Sequence, residues 1–114
     1  MDKEKFQIIL GSLLERSKEG TLNWKTTANS DAFLLALSDS SITVYKISSN
    51  TYDFYFRNEK GETVEEMSIT RIGSLPQVFR DTEQLYDLAR RKALKSDETI
   101  DRIIEQLKPD SLAA

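Results

Sequence analysis

The sequence predicts an α+β fold: an N-terminal helix, a four-stranded antiparallel meander, and two C-terminal helices packed mainly on one sheet face. Three observations predict it. Apolar residues recur at helical spacing in the first 20 residues and again after residue 80, strand-rich runs joined by short turns fill the middle, and no linker divides the 114 residues. The whole chain, 1–114, therefore reads as a single domain.

Residues 2–18 form the first helix. Phe6, Ile9, Leu10, Leu13 and Leu14 fall at i, i+3, i+4, i+7 and i+8, which makes one apolar stripe. Gly20 is placed to end that helix in a left-handed conformation. A connector over 21–30 carries Trp24, the one tryptophan. Four strands follow over 32–38, 41–48, 51–57 and 62–69. Their turns are Asp39-Ser40, Ser49-Asn50 and the 58–61 loop ending in Gly61. Turns this short make successive strands antiparallel neighbours. Residues 71–80 read as irregular, with Gly73 and Pro76 as breakers. Asp81 with Gln84 three positions on has the form of a capping box, and Leu85, Leu88, Ala89, Lys92 and Ala93 define the stripe of a helix running to about residue 95. Ser96 is placed to cap a last helix whose apolar face is Ile100, Ile103, Ile104 and Leu107, ahead of Pro109. The six residues beyond Lys108 read as a frayed end.

Composition removes whole classes of chemistry. There is no Cys and no His, so disulfides, thiolate nucleophiles, imidazole acid–base catalysis and Cys- or His-ligated metals are all excluded. No Gly-rich phosphate-binding motif is present. The carboxylates Glu59, Glu62, Glu65 and Glu66 do not have calcium-loop spacing, and strand alternation separates Glu65 from Glu66. They read as a solvated strand edge. The expectation is a protein without enzymatic activity and without a cofactor or metal. With 16 Lys+Arg against 19 Asp+Glu, the net charge of -3 argues against a protein that coats nucleic acid or anionic lipid. No apolar run reaches the roughly 20 residues that span a bilayer, and the first residues lack a signal-peptide layout. A soluble, cytoplasmic protein is expected.

The run Leu13-Leu14, then Lys18, Gly20, Leu22 and Trp24, has the form K-x-G-x-L-x-W at its end. Leu85-Tyr86 followed by Ala89-Arg90-Arg91 has the form L-Y-x-x-A-R-R, and a helix over 97–107 closes the layout. This resembles small uncharacterised bacterial and phage-type α+β proteins of unknown function. The resemblance spans most of the chain and its motifs are structural. It implies a fold, and it implies no site.

Three groups of residues are candidates for function. In the middle of the meander, Thr43, Tyr45 and Ile47 share one face of their strand, and Asp53, Tyr55 and Arg57 share the outward face of the next. Tyr and Arg combine a large contact area with a polar handle, which is why interfaces use them. Tyr45, Asp53, Tyr55 and Arg57 are therefore the candidate interface for a protein partner or a second copy in a homodimer. Trp24 belongs with them if it is a binding hot spot or a base-stacking platform. The competing role, favoured for a large aromatic residue, is to plug the core where the first helix meets the sheet. Arg80, Arg90, Arg91 and Lys95 are the candidate nucleic-acid contacts, weighed against an ordinary role beside a helix C-terminus. The sequence thus favours a non-enzymatic interaction or regulatory accessory module binding through one sheet face. A nucleic-acid-associated protein is the alternative.

Overall fold

The computed structural model describes residues 1–108. Helix α1 (Lys3–Glu19) is followed by strands β1 (Lys25–Thr26), β2 (Ala32–Ala36), β3 (Ser41–Ser48), β4 (Thr51–Arg57) and β5 (Thr63–Thr70), then by helices α2 (Pro76–Ala93) and α3 (Ser96–Leu107). The strands form one five-stranded sheet in sequence order β1-β2-β3-β4-β5, every pair antiparallel. The expected meander is present. It gains β1, a two-residue edge strand inside the stretch that reads as a connector. Lys25 pairs with Leu34 and Thr26 with Phe33. So short an edge, carrying a lysine, leaves little backbone for another chain to pair with.

Helix α1 keeps its expected limits within a residue. The Asp2 side chain accepts from the Glu4 N–H at 2.8 Å, and Gly20 closes the helix at φ 76°. Phe6, Leu10, Leu13 and Leu14 are buried. They meet the inward side of the sheet, where strict alternation supplies Phe33, Leu35, Ile42, Val44, Tyr52, Phe54, Phe56 and Ile69. The Phe6 ring packs edge-on against Phe54, centroids 5.2 Å apart. Helix α2 completes the layer with Phe79, Thr82, Leu85, Tyr86 and Ala89. The hydroxyl of Thr82, fully buried, donates to the Val78 carbonyl at 2.8 Å and so carries no unpaired polar group inward.

Two boundaries and one burial pattern differ from the sequence reading. Helix α2 starts at Pro76, five residues before the expected cap at Asp81. Proline lacks an N–H that the first helical position would not use, and its φ is already helical, so the apparent breaker is an initiator. Asp81 then lies within the helix and accepts from the Gln77 side chain at 2.8 Å. At the other end, Lys95 rather than Ser96 is the cap of α3, in the left-handed region at φ 55°. The last difference is in burial. Helical periodicity predicts that Ile100, Ile103, Ile104 and Leu107 are covered, yet they are 47, 48, 53 and 68% exposed. Helix α3 joins the helical layer through α2, and its apolar stripe stays in solvent.

Candidate interaction surface

The sheet face opposite α1 and α2 is built by the other strand parity. Register places Tyr45 opposite Asp53, Thr43 opposite Tyr55, Asp53 opposite Ser68 and Tyr55 opposite Glu66. Tyr45 and Tyr55 are thus diagonal neighbours on β3 and β4, close enough for large side chains to meet. Their rings pack edge to face, centroids 5.0 Å apart at 78°. The Arg57 guanidinium lies 5.9 Å from the Tyr55 ring centroid and donates to the Thr43 hydroxyl at 2.8 Å. On the far side, Ser68 donates to Asp53 at 2.7 Å. Tyr45, Asp53, Tyr55 and Arg57 are all half-buried, by one another and by their strand neighbours. The face is a preformed polar-aromatic patch whose side chains are already held in place.

Four of the five candidate interface residues therefore converge as the alternation requires. Ile47, further along the same strand, has no register partner, because a bulge between Lys46 and Ser48 interrupts the pairing there. Ser68 and Glu66 join the set. Sequence reasoning names Glu66 only within a solvated acidic edge and does not name Ser68, although the alternation of β5 carries the signal. Trp24, the fifth, is not on this surface. It is 3% exposed in the core, and its indole N–H donates to the Ser17 hydroxyl at 3.0 Å. The connector that holds it runs between α1 and β1, so the ring plugs the end of the helical layer.

The chemistry of the patch is that of recognition. The Tyr55 phenol is pushed above its ordinary value by burial, then by the Asp53 and Glu66 carboxylates, with Arg57 opposing. It stays protonated near neutral pH, able to donate and accept hydrogen bonds. Asp53 holds Ser68, and Arg57 keeps further N–H groups for a carbonyl or carboxylate.

Of the basic candidates, Arg80 and Arg90 stand apart, whereas Arg91 and Lys95 line one cleft. Arg80 sits in the first half of α2, hydrogen-bonded to the Gln77 side chain at 3.0 Å. Arg90 lies ten residues further along the helix, about 15 Å away. Arg91 pairs with Asp97 at 2.7 Å, and Lys95 forms the joint between the helices. A cleft of about 840 Å³ does open near that joint, lined by Lys18, Lys25, Arg91, Lys92 and Lys95 together with Asp97 and Glu98. Lys18 and Lys25 are distant from the others in sequence, and only the fold brings them here. The C-terminal ends of α1 and α2 meet at this cleft, and the Lys92 ammonium donates to the Gly20 carbonyl at 3.2 Å. Cations at two converging helix C-termini answer the partial negative charge of their free carbonyls.

No family model, curated protein or solved structure matches this chain. Among the described residues no helix is long and apolar enough to cross a membrane, and no group of three or more carboxylates is placed to hold a metal ion.

Proposed function

We propose that this chain is a non-enzymatic protein-interaction module, a regulatory accessory that binds a protein partner through the open face of its sheet. The observation that carries the reading is the Tyr45–Tyr55 edge-to-face pair, flanked by Arg57 and Asp53, on a face left open by the helices. Two rigid aromatic residues beside a held guanidinium supply contact area at little entropic cost, the composition found at the centre of binding sites. A bacterial or phage origin and a cytoplasmic setting belong to the same proposal. The nucleic-acid reading is weaker, because Arg80 and Arg90 stand apart along α2 and Arg91 is paired with Asp97, within a chain of net charge -3.

The test is affinity capture from host lysate at low and high salt, with and without nuclease, comparing wild type with Y45S/Y55S and with R90E/R91E. A nuclease-resistant, salt-tolerant protein partner lost only in Y45S/Y55S supports the reading. Capture unchanged by Y45S/Y55S overturns it. A catch abolished by nuclease, salt and R90E/R91E would transfer the assignment to nucleic acid, whose phosphate contacts weaken steeply with salt.

A further inference from the structure

The stripe of α3 is an amphipathic helix face with nothing against it among the described residues. Ile100, Ile103, Ile104 and Leu107 recur at i, i+3, i+4 and i+7, each about half exposed or more. Leaving such a stripe in water forfeits the stabilisation that an amphipathic helix otherwise takes from packing. Elsewhere in the same fold is a groove of about 590 Å³. It is walled by Ile8 and Ile9 of α1, by Leu37 of the β2–β3 turn and by Val64 of β5, over a floor of Ile42 and Phe56. Ile8, Leu37 and Val64 are 69, 47 and 56% exposed. The groove has one helical wall and an apolar sheet floor, the setting in which a further helix of the layer would lie.

We propose that α3 of one copy seats in this groove of a second copy, and reciprocally, so that the protein is a twofold helix-exchanged homodimer. The occupant is argued from charge and from reach. On α3 and its C-cap, Asp97, Glu98, Asp101 and Glu105 outnumber Arg102 and Lys108, and Glu105 is paired with Lys108 at 3.0 Å, while the groove is lined by Arg16 and Arg57 against one carboxylate, Asp39. A helix of net negative charge therefore meets a net basic groove. α3 does not line the groove of its own chain. Only Leu94 and Lys95 separate α2 from α3, which keeps the start of α3 beside the end of α2. α1, about 10 Å across, stands between α2 and the groove, and α2 contributes no residue to its lining. A twofold arrangement uses each contact twice and covers both apolar surfaces at once. The groove shares Arg57 with the open-face patch, whereas Tyr45 and Tyr55 lie outside its lining, so Y45S/Y55S distinguishes failure of one proposal from failure of the other.

The absence of Cys from the chain makes the decisive experiment clean. Full-length L37C and I103C chains are purified separately, mixed and oxidised, alongside each alone. Sedimentation measures wild type, I103E and V64K over a concentration series, and circular dichroism checks that each variant is folded. The expected result is a wild-type dimer, weakened at least tenfold by I103E or V64K, with a disulfide formed in the mixture and in neither single chain. Both substituted side chains are half exposed, so loss of the dimer is separable from loss of the fold. A monomeric wild type at high protein concentration overturns the proposal. So does a disulfide in I103C alone, which would mean that α3 pairs with α3. A dimer indifferent to I103E and V64K but broken by Y45S/Y55S would also overturn it, in favour of pairing through the sheet face.

Discussion

The Tyr86 hydroxyl donates to the backbone carbonyl of Asp31 at 3.0 Å, joining α2 to the start of β2 across 55 positions of sequence. The ring is held between Phe33 and Tyr52, each with its centroid 5.4 Å away. Its polar tip thus finishes a mostly apolar contact at the place where the chain turns into the sheet.

Removing that hydroxyl while keeping the ring should leave the Asp31 carbonyl with the Lys46 N–H, at 3.0 Å, as its remaining donor in a part-buried site. Y86F is expected to lower stability by about 1 kcal/mol, read as a lower urea midpoint at unchanged slope. Y86A, which also vacates the aromatic cluster, should cost about 3–5 kcal/mol. Equal stability of Y86F and wild type would show that the bond carries no weight.

Alkaline pH should act through the same cluster. Burial first, then neighbouring carboxylates, hold the Tyr52 and Tyr86 phenols above the ordinary value of 10.0, with Arg71 and Arg90 respectively opposing. A folded value raised above the unfolded one favours the protonated phenol in the native state. That stability is fully present below about pH 10 and is lost as pH climbs through the raised folded values. Urea midpoints should therefore hold to about pH 9 and fall by about pH 11. Y52F and Y86F should each reduce the fall. Tyrosinate absorbance would follow the same groups directly.

The joint between α2 and α3 offers a third test. Lys95 occupies the left-handed region at φ 55°, where a Cβ atom costs about 1–2 kcal/mol. Glycine avoids that cost and loses part of the gain to its freer unfolded chain. K95G should raise stability by about 0.5 kcal/mol in thermal or urea unfolding without changing helix content. A destabilised K95G would mean that the lysine side chain itself holds the joint.

Legibility in the sequence varies with the kind of signal. The alternation of Tyr52, Phe54 and Phe56 against Asp53, Tyr55 and Arg57 is unambiguous, because a strand offers only two faces and a one-residue slip would exchange them all. Strand alternation alone is enough to group Tyr45, Asp53, Tyr55 and Arg57 as one candidate surface. The start of α2 is hidden, since Pro76 serves equally as a breaker or as a first helical residue. β1 is hidden because two residues have no periodicity. Trp24 is legible as a core plug, the role favoured for so large an aromatic residue, whereas its hydrogen bond to Ser17 is decided only by the fold.

By itself, then, the sequence determined everything that rests on local period and local steric preference. That includes the element types, the antiparallel order, the cap at Gly20, the two faces of β3 and β4, and the absence of thiol and imidazole chemistry. Tertiary structure alone decided which apolar stripes are covered. α1, α2 and α3 carry similar patterns, yet only the first two reach the sheet. An amphipathic pattern specifies that a face should leave water. It does not specify the surface that receives it, and among the described residues of this chain the stripe of α3 meets none.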